Sequence, residues 1–173
     1  MTTTAPRHIV LIGMMGVGKS TVGKKLAATL TCSFVDLDDE IEAVASKTIP
    51  EIFASEGEHG FRLHEADALA GALSRSDPIV LATGGGVVDG PAASLLRQHC
   101  CVWLTASVQT LADRVGTGKG RPLLGDDVVG TLTTLLERRD RKYAEVATLT
   151  IAVDDQSVSA IVAQLMSQLE ALC

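Results

Sequence analysis

Residues 13 to 20 read GMMGVGKS, directly after the apolar run HIVLI and directly before TVGKKLAATL. Gly13, Gly18, Lys19 and Ser20 satisfy GxxxxGK[ST] between a predicted strand and a predicted helix, the context that a phosphate-binding loop requires. Glycines let successive backbone N–H groups converge on phosphate oxygens without Cβ clashes, and the helix N-terminus adds a favourable partial charge. Lys19 is expected to reach the β and γ phosphates of a nucleotide and Ser20 to ligate Mg²⁺, with Gly16, Val17 and Thr21 completing the nucleotide-facing loop.

A loop of this kind needs a parallel sheet behind it, and the rest of the chain reads accordingly. Short β-type runs alternate with longer segments of helical period, the pattern of parallel strands joined by helical crossovers. Five strands are predicted at 8–12, 33–36, 79–82, 101–104 and 148–152. Helices are predicted near 19–30, 38–46, 57–74, 92–98, 107–114, 130–144 and 157–171. In the last of these Ile161, Leu165, Met166 and Leu169 share one face, which marks them as core contacts. With 173 residues the chain suits one domain, 1–173, that buries roughly two thirds of its unfolded surface. The glycine-rich stretch GTGKGRPLLGDD is the one long loop that the pattern leaves uncovered.

Charge narrows the partners. A net charge of -6 argues against nucleic acid, whose phosphates call for a basic excess, so an anionic ligand has to be met by locally placed cations. No apolar run approaches the roughly 18 residues of a membrane span. Cys32, Cys100, Cys101 and Cys173 show no metal-ligand or CxxC spacing, and only the polar segment MTTTAPR precedes the first strand, which together point to the cytoplasm.

The same phosphate-binding loop serves switches, motors and small-molecule kinases, so the acceptor has to be sought elsewhere. The strand IVLA ends in Thr83 and three glycines rather than in the acidic residue found there in many nucleotide-binding proteins. Carboxylates appear instead after the second strand, where Asp36 and Asp38 lie two apart at the strand's carboxyl end, the edge at which open α/β sheets bind ligands. A plainer reading makes Asp38 a helix N-cap, which leaves Asp36 unexplained. For Arg62 and Glu65 spacing alone allows an i,i+3 helix-surface pair worth roughly 0.2–0.5 kcal/mol. The run Arg138, Arg139, Arg141 and Lys142 reads by itself as a solvated helix face. His59, His64 and His99 have no partner visible in the sequence, Cys100 and Cys101 read as buried strand residues, and Trp103 reads as core.

Taken in order, GMMGVGKST, DLD, FRLHE, TGGG, RPLL and ERRDRKYAEVA resemble the shikimate kinase family over almost the whole chain. The resemblance implies a P-loop NTPase fold of the nucleoside monophosphate kinase type: a three-layer α/β/α sandwich with five parallel strands, a substrate-binding segment at 37–65 and a lid at 115–127. It implies ATP and shikimate as substrates, Mg²⁺ as the metal, a monomer, and phosphoryl transfer to the 3-hydroxyl of shikimate. By that resemblance Asp38 is the base at the reacting hydroxyl, Asp36 and Ser20 lie by the metal, and Lys19 and the lid residue Arg121 serve the phosphates. Arg62, Glu65, Gly84, Gly85, Gly86 and Arg139 line the shikimate site, with the two arginines on its carboxylate; Arg114, Asp154 and Asp155 border adenine. A planar guanidinium pairs bidentately with a carboxylate, so two arginines on one pocket suit an anionic hydroxy acid better than a neutral sugar. A kinase acting on gluconate, or a nucleotide switch without an acceptor, fits FRLHE, RPLL and the position of Asp38 less well.

Overall fold

The computed structural model describes residues 8–116 and 127–172. The apolar runs at 8–12, 79–82 and 101–104 become β1 (His8–Ile12), β3 (Ile79–Ala82) and the slightly longer β4 (Cys100–Thr105), buried along nearly their whole length. Strands covered on both faces carry continuous rather than alternating hydrophobicity, and these three are the middle of the sheet. The more polar β2 (Ser33–Asp36) and β5 (Leu149–Ala152) form the two edges. The order is β2-β3-β1-β4-β5 and every pairing is parallel.

Helices flank this sheet, giving the expected α/β/α sandwich. They are α1 (Lys19–Leu30), α2 (Leu37–Ala45), α3 (Ile49–Leu73), α4 (Ala92–Leu96), α5 (Val108–Val115), α6 (Val128–Val146) and α7 (Val158–Leu172). α1 packs on β1, β2 and β3 and against α7, while α6 packs on β4. Ile161, Leu165 and Leu169 of α7 are buried as their spacing predicts, and Met166 is half-buried. Trp103 is buried and stacks on Tyr143 at 5.6 Å between ring centroids, a core position. Among the described residues no helix is long and apolar enough to cross a membrane.

Three points of the sequence reading need correcting. The third helix does not begin at Gly57 but at Ile49, behind a capping box in which Thr48 N–H donates to Glu51 Oε2 at 2.7 Å and Thr48 Oγ1 accepts from Glu51 N–H. Gly57 is instead a kink within it, at φ 69° and ψ -173°, a conformation open essentially to glycine alone. The short 3-10 turn Val87–Asp89 after the glycine triplet was not anticipated either. In addition, Cys101 is buried but Cys100 is only half-buried.

Because all five strands run one way, every strand-to-helix connection emerges at one edge of the sheet and every helix-to-strand connection at the other. β1 and β3 are neighbours whose onward chains diverge, since β1 leads toward β2 while β3 leads across β1 to β4. The loops leaving them therefore open a crevice at the carboxyl edge. Thr83 extends the pairing there, with its N–H and its hydroxyl both donating to the Leu11 carbonyl, at 3.2 and 3.0 Å. That accounts for a threonine where an acid was looked for.

Candidate active site

One wall of the crevice is the phosphate-type loop. Gly18, φ 102°, is the N-cap of α1, with no side chain capping the first turn and no acidic residue within it, so its N–H groups are left for an anion. Lys19 curls over the loop and donates from Nζ to the carbonyls of Gly13 at 2.7 Å and Met14 at 3.0 Å. Arg114, in the last turn of α5, donates from Nη1 to the Val17 carbonyl at 3.0 Å, which brings it to the rim of the same loop. Asp154 lies beyond, where its carboxylate accepts from Ser107 N–H and Thr110 Oγ1 and thereby anchors the start of α5. Neighbouring Asp155 is left-handed, at φ 55°.

The second wall comes from β2 and α2. Asp36, not Asp38, is the helix N-cap: its Oδ1 accepts from Asp38 N–H at 3.2 Å while its Oδ2 accepts from Ser20 Oγ at 2.8 Å. Asp38, released from capping, turns its carboxylate into the crevice. Burial raises its pKa above the ordinary carboxylate value, the charge of Asp36 raises it further, and Lys19 opposes both.

The third wall belongs to α3 and the glycine triplet. Arg62 and Glu65 are not a surface pair but a buried one, with Arg62 Nη1 donating to Glu65 Oε2 at 2.7 Å. A Cβ added to Gly84 would stand 3.3 Å from both Asp38 Oδ1 and Glu65 Oε1, and one on Gly86 would run into the Arg62 guanidinium. Gly85 approaches the phosphate-type loop so closely that its Cβ would lie 3.1 Å from Met15 N. Glycine at these positions thus lets two loops and two acidic side chains share one space. Burial raises the Glu65 pKa against the pull of Arg62, and the charges of Asp38 and Arg139 also reach it. Glu65 Oε1, Arg62 Nε and Arg139 Nη1 are buried with no hydrogen-bond partner among the described residues. Such groups are costly in a bare protein and point to a polar ligand that satisfies them.

α6 closes the site from the side. Arg139 is buried, and its Nε donates to Asp89 Oδ2 at 2.7 Å. Tyr143, one helical turn further along the same face, donates its hydroxyl to the Gly85 carbonyl. Neither Asp89 nor Tyr143 was singled out from the sequence. Tyr143 had a signal in its i+4 spacing from Arg139, whereas Asp89 had only its place three residues after the glycines. His64, expected to lack a partner, sits 2.9 Å from Glu56 on the outer surface of α3 and takes no part in the crevice. Arg121 and residues 117–126 of the lid expected at 115–127 lie outside the described residues.

The crevice therefore joins an anion-binding loop to a pocket holding two carboxylates and two buried guanidiniums. A model of the shikimate kinase family matches residues 15–170, spanning every wall of that crevice. The chain belongs to the shikimate kinase family. Its activity is the family's, ATP-dependent phosphorylation of a shikimate hydroxyl. It is 46% identical over 171 residues to a shikimate kinase of Bradyrhizobium diazoefficiens, a match covering 96% of this chain and 82% of that one. It is 43% identical over 169 residues to a shikimate kinase of Symbiobacterium thermophilum, covering 94% and 96% respectively. Among solved structures, shikimate kinase from Acinetobacter baumannii in complex with shikimate superimposes with a TM-score of 0.91 at 38% identity, covering 97% of this chain and 94% of that one.

Proposed function

We propose that the γ-phosphoryl group of ATP passes directly to the 3-hydroxyl oxygen of shikimate while Asp38 takes the hydroxyl proton, giving shikimate 3-phosphate and ADP. The observation that carries this reading is the double neighbourhood of Asp38: the charges of Lys19 and Asp36 reach it from the phosphate side, while its Oδ1 shares the space beside Gly84 with Glu65 on the pocket side. A carboxylate at that meeting point is suited to accept a proton from an acceptor hydroxyl as the hydroxyl oxygen attacks. Its raised pKa makes it a better proton acceptor than an ordinary aspartate.

Lys19 would leave the Gly13 and Met14 carbonyls for the phosphates, and Gly13, Gly16, Val17, Gly18 and Thr21 would supply the loop around them. Arg62 and Arg139 would take the shikimate carboxylate through their unpartnered N–H groups, with Glu65 accepting from a ring hydroxyl through Oε1. Arg114 and the Asp154–Asp155 turn would flank adenine, and Arg121 would come over the phosphates from the lid. Little covalent work is asked of the protein, so catalysis is positioning and charge stabilisation.

Ser20 and Asp36 would hold Mg²⁺. Their donor chemistry fits: two hard oxygens 2.8 Å apart at the mouth of an anion site. Among the described residues no three His, Cys, Asp or Glu gather into a metal cage, which suits an ion that keeps its waters and takes phosphate oxygens as ligands. Bound with the nucleotide, the ion supplies neutralising charge to the β and γ phosphates. A cytoplasmic monomer handling small molecules alone completes the reading, supported by the acidic net charge and by Cys32, Cys100 and Cys101 standing outside any disulfide.

A coupled assay of ADP release with and without shikimate tests it, with the product examined by phosphorus NMR. ADP formation should depend on shikimate and match the shikimate 3-phosphate formed. Release at the same rate without shikimate, or phosphate on another hydroxyl, would overturn it.

A further inference from the structure

Asp89 ends the 3-10 turn that follows the glycine triplet, and its carboxylate gathers three cations from α6. Lys142 Nζ donates to Oδ1 at 2.8 Å, while Arg139 Nε and Arg138 Nη2 donate to Oδ2 at 2.7 and 2.9 Å. The three are unequal. The side chains of Arg138 and Lys142 are 55% and 43% exposed, against 2% for Arg139 and 6% for Asp89. Exposed pairs of this sort contribute little, whereas a guanidinium taken fully out of water needs a partner of opposite charge.

The bond to Arg139 also has a direction. A guanidinium is a rigid planar fork, so tying down Nε fixes where the two terminal nitrogens point. With Nε turned toward Asp89, Nη1 is left buried without a partner among the described residues. Arg138 and Lys142 meanwhile draw on the same carboxylate, so Arg139 is not fully neutralised by it.

We infer that Asp89 is a positioning residue for the acceptor's carboxylate: it holds Arg139 by Nε so that the terminal Nη edge meets the anion, and does so from the turn that carries the pocket's glycines. The inference rests on the reading that Arg139 binds the shikimate carboxylate. Asp89 touches no substrate; its influence passes through Arg139. A mere strut between the turn and α6 would act on all acceptors alike, which separates the two roles.

The test is calorimetric binding of shikimate and of its carboxamide to the whole protein, in the parent and in Asp89→Ala, Arg139→Lys and the double variant, together with both Michaelis constants. Asp89→Ala should weaken shikimate by about tenfold or more while leaving the carboxamide and the KM for ATP within about twofold, so that the preference for acid over amide collapses. The double variant should add little to Arg139→Lys, because both changes remove one interaction. If Asp89→Ala fails to fold, Asp89→Asn, which keeps the shape and one accepting oxygen, should show the same selective loss in smaller degree. Equal weakening of acid and amide, or of neither, in a folded Asp89 variant while Arg139→Lys loses the preference overturns the role of Asp89 alone. A preference that survives Arg139→Lys overturns the Arg139 reading and the role of Asp89 with it.

Discussion

The Ser20 hydroxyl donates to Asp36 Oδ2 at 2.8 Å, so one carboxylate both caps α2 and reaches the first turn of α1. The two tasks separate on substitution. Asparagine caps a helix about as well as aspartate, so Asp36→Asn should cost little stability. It should nevertheless raise the Mg²⁺ concentration for half-maximal rate by about tenfold or more, since the charge beside the ion is lost. A Mg²⁺ titration of initial rate that superimposes on the parent's would remove Asp36 from the metal site.

Asp38→Asn should lower turnover by about 100-fold or more with ATP binding retained. The pKa of Asp38 is raised in the folded protein, first by burial and then by Asp36. The folded state therefore binds this proton more readily than the unfolded chain, and its stability falls as pH rises from the ordinary value of 3.8 through the folded one. Once ionised, Asp38 weakens the fold, so the asparagine variant should melt higher than the parent while turning over far more slowly. A lower melting temperature at pH 7 would contradict the sign.

Arg62→Lys keeps the charge and loses the fork that spans Glu65 and Glu58 and that we propose meets the acceptor. The Michaelis constant for shikimate should rise about tenfold or more and that for ATP within about twofold. Parallel increases in both would mean that Arg62 supports the fold rather than the acceptor.

Tyr143→Phe preserves the stacking on Trp103 but strips the Gly85 carbonyl of its donor. Denaturant unfolding should show a loss of about 1–3 kcal/mol, and the KM for shikimate should rise as the glycine loop loosens. Burial raises the phenol pKa above its ordinary 10.0. The unfolded chain thus loses this proton first, and the parent's stability should decline above pH 10 through that residue, a decline absent from the phenylalanine variant.

What the sequence disclosed depended on how far apart the partners lie along it. The loop around Lys19, the five strands and the glycine triplet are local patterns and were legible as such. The start of α3 was local too, since Thr48 and Glu51 form a capping pair, but Gly57 drew the boundary because a glycine in a helical pattern reads as a break. Asp36 and Asp38 were recognised, but the plainer reading made Asp38 the cap where the structure has Asp36, a distinction that turns on side-chain rotation rather than spacing. Asp89 was hidden: its three partners lie 49 to 53 residues away, and only packing of α6 on the turn joins them. The burial of Arg62 and Arg139 was equally invisible, because an arginine destined for a pocket and one on a solvated face look alike in sequence.

The parallel sheet keeps its chemistry on one edge, and that leaves the opposite edge as neutral ground for attachment. The exposed connection at 74–78, between α3 and β3, enters that far edge, and the four residues of β3 carry the chain about 13 Å before it reaches Thr83 and the glycines. A tag, a fluorophore or a tether to a solid support introduced there, with Arg75 and its bond to Glu40 of α2 kept, would be borne by a segment that touches none of the described site residues. The protein can be gripped by its back, and a kinase immobilised this way should turn over at the rate of the free one.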